Sequence, residues 1–325
     1  MSLLVETEQA EQSGQATRTT DPVAAARAAL APSADSALVV APADPGPGSW
    51  AGAPSALLVD GVYYLGYRLR RPVGKGRGFA NVIARSDDGV RFETVATLTK
   101  DAFGAESLER PAIAVTAEGT WRAYVSAATP GTKHWRVDVV EAATPEELAT
   151  APHRTVLPGS DRLAVKDPVI VMHGGGWHLW ASCHPLDDPH ATDRMTTDYA
   201  TSPDGLDWTW QGTALSGTAG TWDQRGVRAA CVLLDRPDPI AFYDGRATAA
   251  ENWEERTGLA AFERLNGLAT LRPLTDEPVA ASTYGAHGLR YVSAVPLPDG
   301  GTRLYYEITR ADGAHELRTT VTTQL

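Results

Sequence analysis

Five stretches of this 325-residue chain begin alike, and their spacing constrains the fold more than composition does. In each, a short apolar, β-branched run passes through turn residues into a second run that alternates aromatic and apolar residues with small or polar ones. Pro54-Ser55-Ala56-Leu57-Leu58-Val59 leads through Asp60-Gly61 to Tyr63-Tyr64-Leu65-Gly66-Tyr67. Glu109-Arg110-Pro111-Ala112-Ile113 leads to Trp121-Arg122-Ala123-Tyr124, and Val165-Lys166-Asp167-Pro168-Val169 leads through Gly174-Gly175-Gly176 to Trp177-His178-Leu179-Trp180. Val227-Arg228-Ala229-Ala230-Cys231 precedes Ile240-Ala241-Phe242-Tyr243, and Leu289-Arg290-Tyr291-Val292-Ser293 precedes Arg303-Leu304-Tyr305-Tyr306. The comparable positions 54, 111, 168, 228 and 290 stand 57, 57, 60 and 62 residues apart.

Each interval has room for two further strands, such as Val82–Ser86 with Phe92–Ala96. Four-stranded units repeated radially make a β-propeller, so the expectation is an all-β, five-bladed β-propeller over residues 37–325. The fifth unit runs out after its third strand near Leu317–Val321, and the stray strand Leu38–Val40 is expected to complete that last blade and close the ring. Residues 1–36, biased toward Ala, Thr, Gln, Glu and Ser, read as a disordered or loosely attached tail. A short helix near Val23–Leu30 is expected within it, without the apolar spacing to pack a core.

The formal net charge of −11 and the lack of a long basic helix argue against nucleic acid as a partner. Cys183 and Cys231 cannot make a disulfide framework and read as buried thiols in a reducing compartment. The N-terminal residues lack the basic and apolar regions of a secretory signal, and no run of 18 apolar residues offers a membrane span. These features lead us to expect a cytoplasmic protein with no membrane partner.

Turn lengths separate the two faces of such a ring. Links between first and second strands, or third and fourth, are short: Asp60-Gly61, Asp88-Gly89, Glu118-Gly119, Asp204-Gly205 and Asp299-Gly300-Gly301. Links between second and third strands are long and polar, at 68–78, 184–195 and 245–256, and they share a face with the beginnings of the first strands. That face collects Glu109, Arg110, Lys166, Asp167, Asp223, Arg225, Arg228, His287 and Arg290 from the first-strand beginnings. Arg68, Ser126, His184, Asp244, Arg246 and Glu307 join them from the second-strand ends. Acids and bases converging on one pocket suit acid/base chemistry on a small molecule.

Lys166-Asp167-Pro168 at the start of the third of five such units resembles the five-bladed propeller glycosidases: the arabinanase and xylosidase group, the invertase and levansucrase group, and the mannoside phosphorylases. The resemblance covers the architecture of nearly all the chain after residue 37. It implies that Asp167 orients a sugar and tunes a general acid, with a first-blade carboxylate as base or nucleophile and a fourth-blade Glu as acid. The sequence departs from that pattern, because Trp50-Ala51-Gly52-Ala53-Pro54 carries no carboxylate and Arg228 stands where the acid is expected. The catalytic candidates are therefore Asp167, Glu109 and Asp244, each at a strand end beside a cation: Lys166, Arg110 and Arg246. Trp50, at the first blade, is the candidate sugar-stacking platform.

Cations are the more distinctive signal of this face. Arg110, Lys166, Arg228, Arg246 and Arg290 surround the expected pocket of an acidic protein, with Arg68, Arg70, Arg71, Lys75 and Arg77 in the first long link. Such a site suits phosphate or carboxylate. His184, Asp223, His287 and Glu307 complete the expected substrate-binding set. No cofactor is called for. The two His and two Asp of 184–190 read as a Pro-broken polar loop rather than a metal site, Arg70–Arg77 as a solvated loop, and Glu254-Glu255-Arg256 as a salt-bridged surface turn. The leading expectation is a glycoside hydrolase-like enzyme acting on a small anionic glycoside. The alternatives are a glycoside phosphorylase using arginine-bound phosphate, or a non-hydrolytic sugar-binding or specialised-metabolism propeller lacking the usual catalytic pair.

Overall fold

Turn chemistry sets the strand pairing. The structure, a computed structural model, describes residues 21–32, 34–265, 268–323 and 325. Asp60 and Gly61 both adopt positive φ, 50° and 80°, in the two-residue connection between β2 (Trp50–Val59) and β3 (Val62–Arg70). That geometry matches the twist of the flanking strands and fixes the hairpin register. At Asp88 and Asp204, carboxylates accept backbone N–H groups two and three residues on, closing the turns between third and fourth strands of two further hairpins.

Among the described residues α1 (Pro22–Ala29) and β1 (Ala37–Val40) come first, after which the strands follow in order as antiparallel units, the first and last sharing one eight-stranded sheet and the three between them forming a four-stranded sheet each. The first contains β2, β3, β4 (Gly78–Ser86) and β5 (Glu93–Thr99). The second contains β6 (Leu108–Val115), β7 (Trp121–Ala128), β8 (Trp135–Ala142) and β9 (His153–Leu157), and the third contains β10 (Leu163–His173), β11 (Gly176–Pro185), β12 (Thr196–Ser202) and β13 (Thr209–Leu215). The fourth contains β14 (Gly226–Leu233), β15 (Ile240–Arg246), β16 (Arg256–Leu265) and β17 (Leu268–Pro273). The last contains β18 (Leu289–Pro296), β19 (Thr302–Thr309) and β20 (His315–Thr322), against which β1 pairs antiparallel with Leu38 opposite Arg318. A single parallel bridge from Trp50 to His315 joins the first and last units. The protein is thus nearly all β.

First strands touch in cyclic order: β2 on β6, β6 on β10, β10 on β14, β14 on β18, and β18 on β2. The apolar core is correspondingly divided into layers between neighbouring units. Ile83, Leu98 and Leu108 with Val125 fill the first interface, Tyr124 and Val139 with Leu179 the second, and Trp180 and Tyr199 with Tyr243 the third. Phe242 and Leu259 with Leu304 fill the fourth, and Leu65 and Val82 with Tyr305 the fifth.

Residues 1–20 of the expected tail lie outside the described residues. The helix expected near Val23–Leu30 is present, capped by the Asp21 side chain on Val23 N–H. Its packing corrects the expectation for this segment: Ala25, Ala26, Ala29 and Leu30 are buried, and Ala26, Ala29 and Leu30 belong to the layer between the fourth and fifth units. The apolar face is made of alanines, which count weakly in composition yet allow close approach. Among the described residues no helix is long and apolar enough to cross a membrane.

Every first strand slips register once near its start: between Gly52 and Ser55, Leu108 and Pro111, Lys166 and Val169, Ala229 and Cys231, and Arg290 and Ser293. These bulges re-aim side chains. Three carry non-glycine residues in the left-handed region, Ala53 at 53°, Asp167 at 52° and Tyr291 at 57°. The last paired residues before the bulges of the third, fourth and fifth units are Lys166, Ala229 and Arg290, so the sequence alignment, which set Arg228 and Arg290 level with Pro168, is corrected by three residues in the fourth unit and two in the fifth.

Candidate functional site

Bulges, second-strand ends and the links that follow them bring four arginines and seven carboxylates into one largely buried cluster. Arg228 lies at its centre. Its guanidinium makes hydrogen bonds of 3.0 and 2.9 Å to Asp244 and one of 3.2 Å to Asp167, and stands 3.5 Å from Glu255. Arg290 binds Glu307 at 2.7 and 2.9 Å and Glu255 at 2.5 Å. Arg68 bridges Glu109 and Glu307, and Arg246 pairs with Glu255 and Asp193. His315 adds a 2.7 Å hydrogen bond to Glu307 and one of 3.0 Å to Glu254.

Above this cluster is a small cavity of about 30 Å³. Its wall contains five cations, Arg68, Lys166, Arg228, Arg246 and Arg290, against two carboxylates, Glu109 and Glu255. His184 and Tyr291 also line it, and Asn252 and Trp253 come from the link between β15 and β16. Trp253, 43% exposed and at φ 78°, lies edge-on to Trp50 with Arg70 held near both rings.

The sequence candidates are distributed over three depths. Glu109, Lys166, His184, Arg228, Arg246 and Arg290 reach the cavity wall. Asp167 and Asp244 are fully buried behind Arg228 and outside that wall. Asp167 also accepts from Arg110 N–H at 3.2 Å and Tyr291 O–H at 3.3 Å, while Asp244 accepts from Tyr291 N–H at 3.0 Å. Ser126 Oγ accepts from Asp167 N–H and donates to the Arg110 carbonyl, tying the second and third bulges together. Glu307 is fully buried beneath Arg68 and Arg290.

Four expectations are corrected by this geometry. Trp50 offers no free face as a sugar platform, because its ring stacks on His315 at 4.7 Å and under the Arg70 guanidinium at 3.8 Å. Arg110 turns away from the cavity, its Nε and Nη2 donating to the Pro54 carbonyl at 3.2 and 2.9 Å. Asp223 serves its own turn, accepting from Tyr243 O–H and from Thr218 N–H. His287 is exposed, with Nδ1 3.0 Å from the Ser282 carbonyl oxygen. Arg71, Lys75 and Arg77 stay at the surface or half-buried, outside the cavity wall.

Sequence reasoning missed Glu255, His315, Tyr291 and Asp193. Glu255 is only 2% exposed, which overturns its reading as part of a surface turn. The signal was its place one residue before β16, where the long link returns to the axis. The Glu307 carboxylate of the fifth unit reaches across to the start of the first. Gly52 leaves the space that the Glu307 carboxylate fills, and a Cβ at residue 52 would collide with it. Gly52→Ala therefore costs about 1–3 kcal/mol of unfolding free energy, read by urea titration against wild type; an unchanged midpoint would contradict this packing.

Burial and charge pull the ionisable groups apart. Burial raises Glu255 and Glu307, but their arginine partners outweigh it and hold both well below the usual carboxylate range. Asp167 is likewise raised by burial but brought below its ordinary value by Lys166 and Arg228. In Asp244, burial wins over Arg228 and pushes the carboxyl up to about 6. Burial pulls Lys166 down to about 8 despite Asp167, and pulls His184 down to about 3 with help from Lys166. At neutral pH the cavity thus holds ionised Glu255, a neutral imidazole at His184 and a protonated lysine.

No protein-family model and no curated protein sequence matches the chain. Solved structures match its fold. A β-1,2-mannobiose phosphorylase from Listeria innocua superposes with a TM-score of 0.62 at 15% identity, covering 88% of this chain and 93% of that one. A glycosyl hydrolase from Bacteroides ovatus gives 0.58 at 16%, covering 84% and 83%. Sucrose-6-phosphate hydrolase from Lactobacillus gasseri gives 0.64 at 14%, covering 91% of this chain and 62% of that enzyme. The chain shares the fold of these glycoside hydrolases and phosphorylases, the group that Lys166-Asp167-Pro168 resembles.

Proposed function

We propose that the chain is a five-bladed β-propeller, its ring closed by β1 in the fifth unit, that transfers a glycosyl group from a small glycoside to inorganic phosphate. Cyclic contact of the five first strands supports the architecture. The observation that carries the reaction is the cavity wall of five cations against two carboxylates, both carboxylates being held by arginines. Hydrolysis needs two carboxylates free to flank the bond. Phosphorolysis needs one proton donor and a cradle for the anion.

Three cationic groups of the wall keep unused hydrogen-bonding capacity for that cradle. Nε of Arg68 and Nε of Arg246 have no hydrogen-bond partner among the described residues, and Lys166 Nζ stands 3.8 Å from Asp167. In the proposed step a phosphate oxygen forms a bond to the anomeric carbon as the glycosidic C–O bond breaks. The departing oxygen takes the Lys166 proton, and monohydrogen phosphate returns its own proton to Lys166. Asp167 positions the ammonium. A space of about 30 Å³ holds a water molecule or two and not a sugar ring, so the substrate enters by displacing Asn252 and Trp253.

The direct experiment runs the reaction backwards, with a panel of sugar 1-phosphates and sugar acceptors and phosphate release as readout. Phosphate release with one sugar phosphate, dependent on acceptor, is expected. Turnover of aryl glycosides at equal rates with and without phosphate would establish the hydrolase reading instead. A non-hydrolytic binding protein is the second reading, favoured by the lack of a carboxylate in Trp50–Pro54 and by Arg228 standing where an acid is expected. Calorimetric sugar binding without turnover in either direction would select it.

A further inference from the structure

A larger cavity, about 640 Å³, lies at the opposite end of the first strands. The later halves of those strands form its wall, with Val59, Val115, Val171, Leu233 and Val295 contributing one aliphatic residue from each unit. Such a volume accommodates a small organic ligand, and apolar lining with few polar groups is the usual character of ligand pockets.

Arg110 is the unusual member of this wall. It is 3% exposed and makes no ion pair with a carboxylate among the described residues, unlike Arg68, Arg228, Arg246 and Arg290. Two of its nitrogens share the Pro54 carbonyl, and Nη1 has no hydrogen-bond partner among the described residues. Asp167 and Asp244 act on this guanidinium only from beyond ion-pair distance, and a buried guanidinium without a direct carboxylate partner is costly unless an anion completes it. Arg236, also in the wall, has a second unpartnered nitrogen, Nε, while Asp235 is engaged by His173 at 2.8 Å.

We propose that this cavity binds a monocarboxylate with an aliphatic body, its carboxylate on Arg110 and its chain along the valine and leucine wall. The site is separate from the sugar pocket and does not depend on how that pocket works. Isothermal titration of the full chain with octanoate and with 1-octanol tests it. Octanoate is expected to bind saturably, one per chain, and about ten- to a hundred-fold tighter than the alcohol, the usual gain from a charged hydrogen bond. Added inorganic phosphate leaves that binding unchanged.

Arg110→Met is expected to abolish the preference for the acid. Because Arg110 also holds Pro54, Met172→Glu provides an independent variant: residue 172 is 44% exposed in the same wall, and a carboxylate there weakens octanoate by about ten-fold through like-charge repulsion while sparing 1-octanol. Equal affinity for acid and alcohol, absence of saturable octanoate binding, or indifference of octanoate to Met172→Glu would each overturn the proposal.

Discussion

Replacing Arg228 with methionine lowers unfolding free energy by about 3–5 kcal/mol at pH 8, and by less at pH 5. The three carboxylates that Arg228 faces lose unequally. Glu255 keeps Arg246 and Arg290, and Asp167 keeps Lys166, Tyr291 and the Arg110 N–H. Among the described residues Asp244 keeps only the Tyr291 N–H, so it becomes a buried charge with one donor there. Its carboxyl already stands raised to about 6 by burial, with Arg228 opposing that rise. Without the arginine it rises further.

The sign of the pH dependence follows. A carboxyl raised in the folded state binds its proton more tightly there than in the unfolded chain, so it favours folding at low pH and loses that contribution as pH climbs toward the folded value. The variant has the higher folded value, hence the wider window of loss, and its deficit against wild type grows from pH 5 to pH 8. Urea unfolding at both values measures it. A deficit below about 1 kcal/mol, or one independent of pH, would show that Asp244 does not rely on Arg228.

Much of the cluster was legible because repetition makes it so. Once 54, 111 and 168 are aligned, Glu109, Arg110, Lys166 and Asp167 fall at one level of neighbouring strands, and Asp244, Arg246 and Glu307 fall at second-strand ends. What alignment cannot convey is the direction in which each bulge turns a side chain. Asp167 and Arg110 both precede a proline, yet Asp167 has φ of 52° and accepts from Arg228, whereas the Arg110 guanidinium folds onto Pro54 and faces the other cavity. Tyr291 occupies the left-handed bulge position of the fifth unit, but an aromatic residue in a strand reads first as packing. Glu255 was concealed by its neighbours, since Ala249-Ala250-Glu251 looks helical and forms only a 3₁₀ turn before the chain re-enters the core. Ion pairing between units, such as Arg68 with Glu307 across 239 residues, has no local signature at all.

Lys166→Met separates the stability of this site from its chemistry and is expected to move them in opposite directions. Lys166 has its ordinary value of 10.5 lowered to about 8, chiefly by burial. A lysine lowered in the folded state opposes folding while charged: the penalty is full below pH 8, fades as pH rises toward 10.5, and is gone above it. The shift of about 2.5 units corresponds to at most about 3 kcal/mol, and with the side chain 15% exposed and facing the Trp135 ring at 5.0 Å the expected gain at pH 7 is about 1–2 kcal/mol. Methionine keeps the chain's apolar stem and leaves Asp167 its hydrogen bonds from Arg228, Tyr291 and the Arg110 N–H. The same substitution removes the proposed proton donor, so turnover falls by about a hundred- to ten-thousand-fold. A retained lysine that weakens the fold is the pattern of a residue kept for function. Thermal unfolding at pH 7 and at pH 10.5 measures the stabilisation and its disappearance, and phosphate release measures the loss of activity. A variant that is less stable than wild type at pH 7 would show that Lys166 does not burden the fold, and one that keeps full turnover would remove Lys166 from the proposed mechanism and return the role of acid to the carboxylates around Arg228.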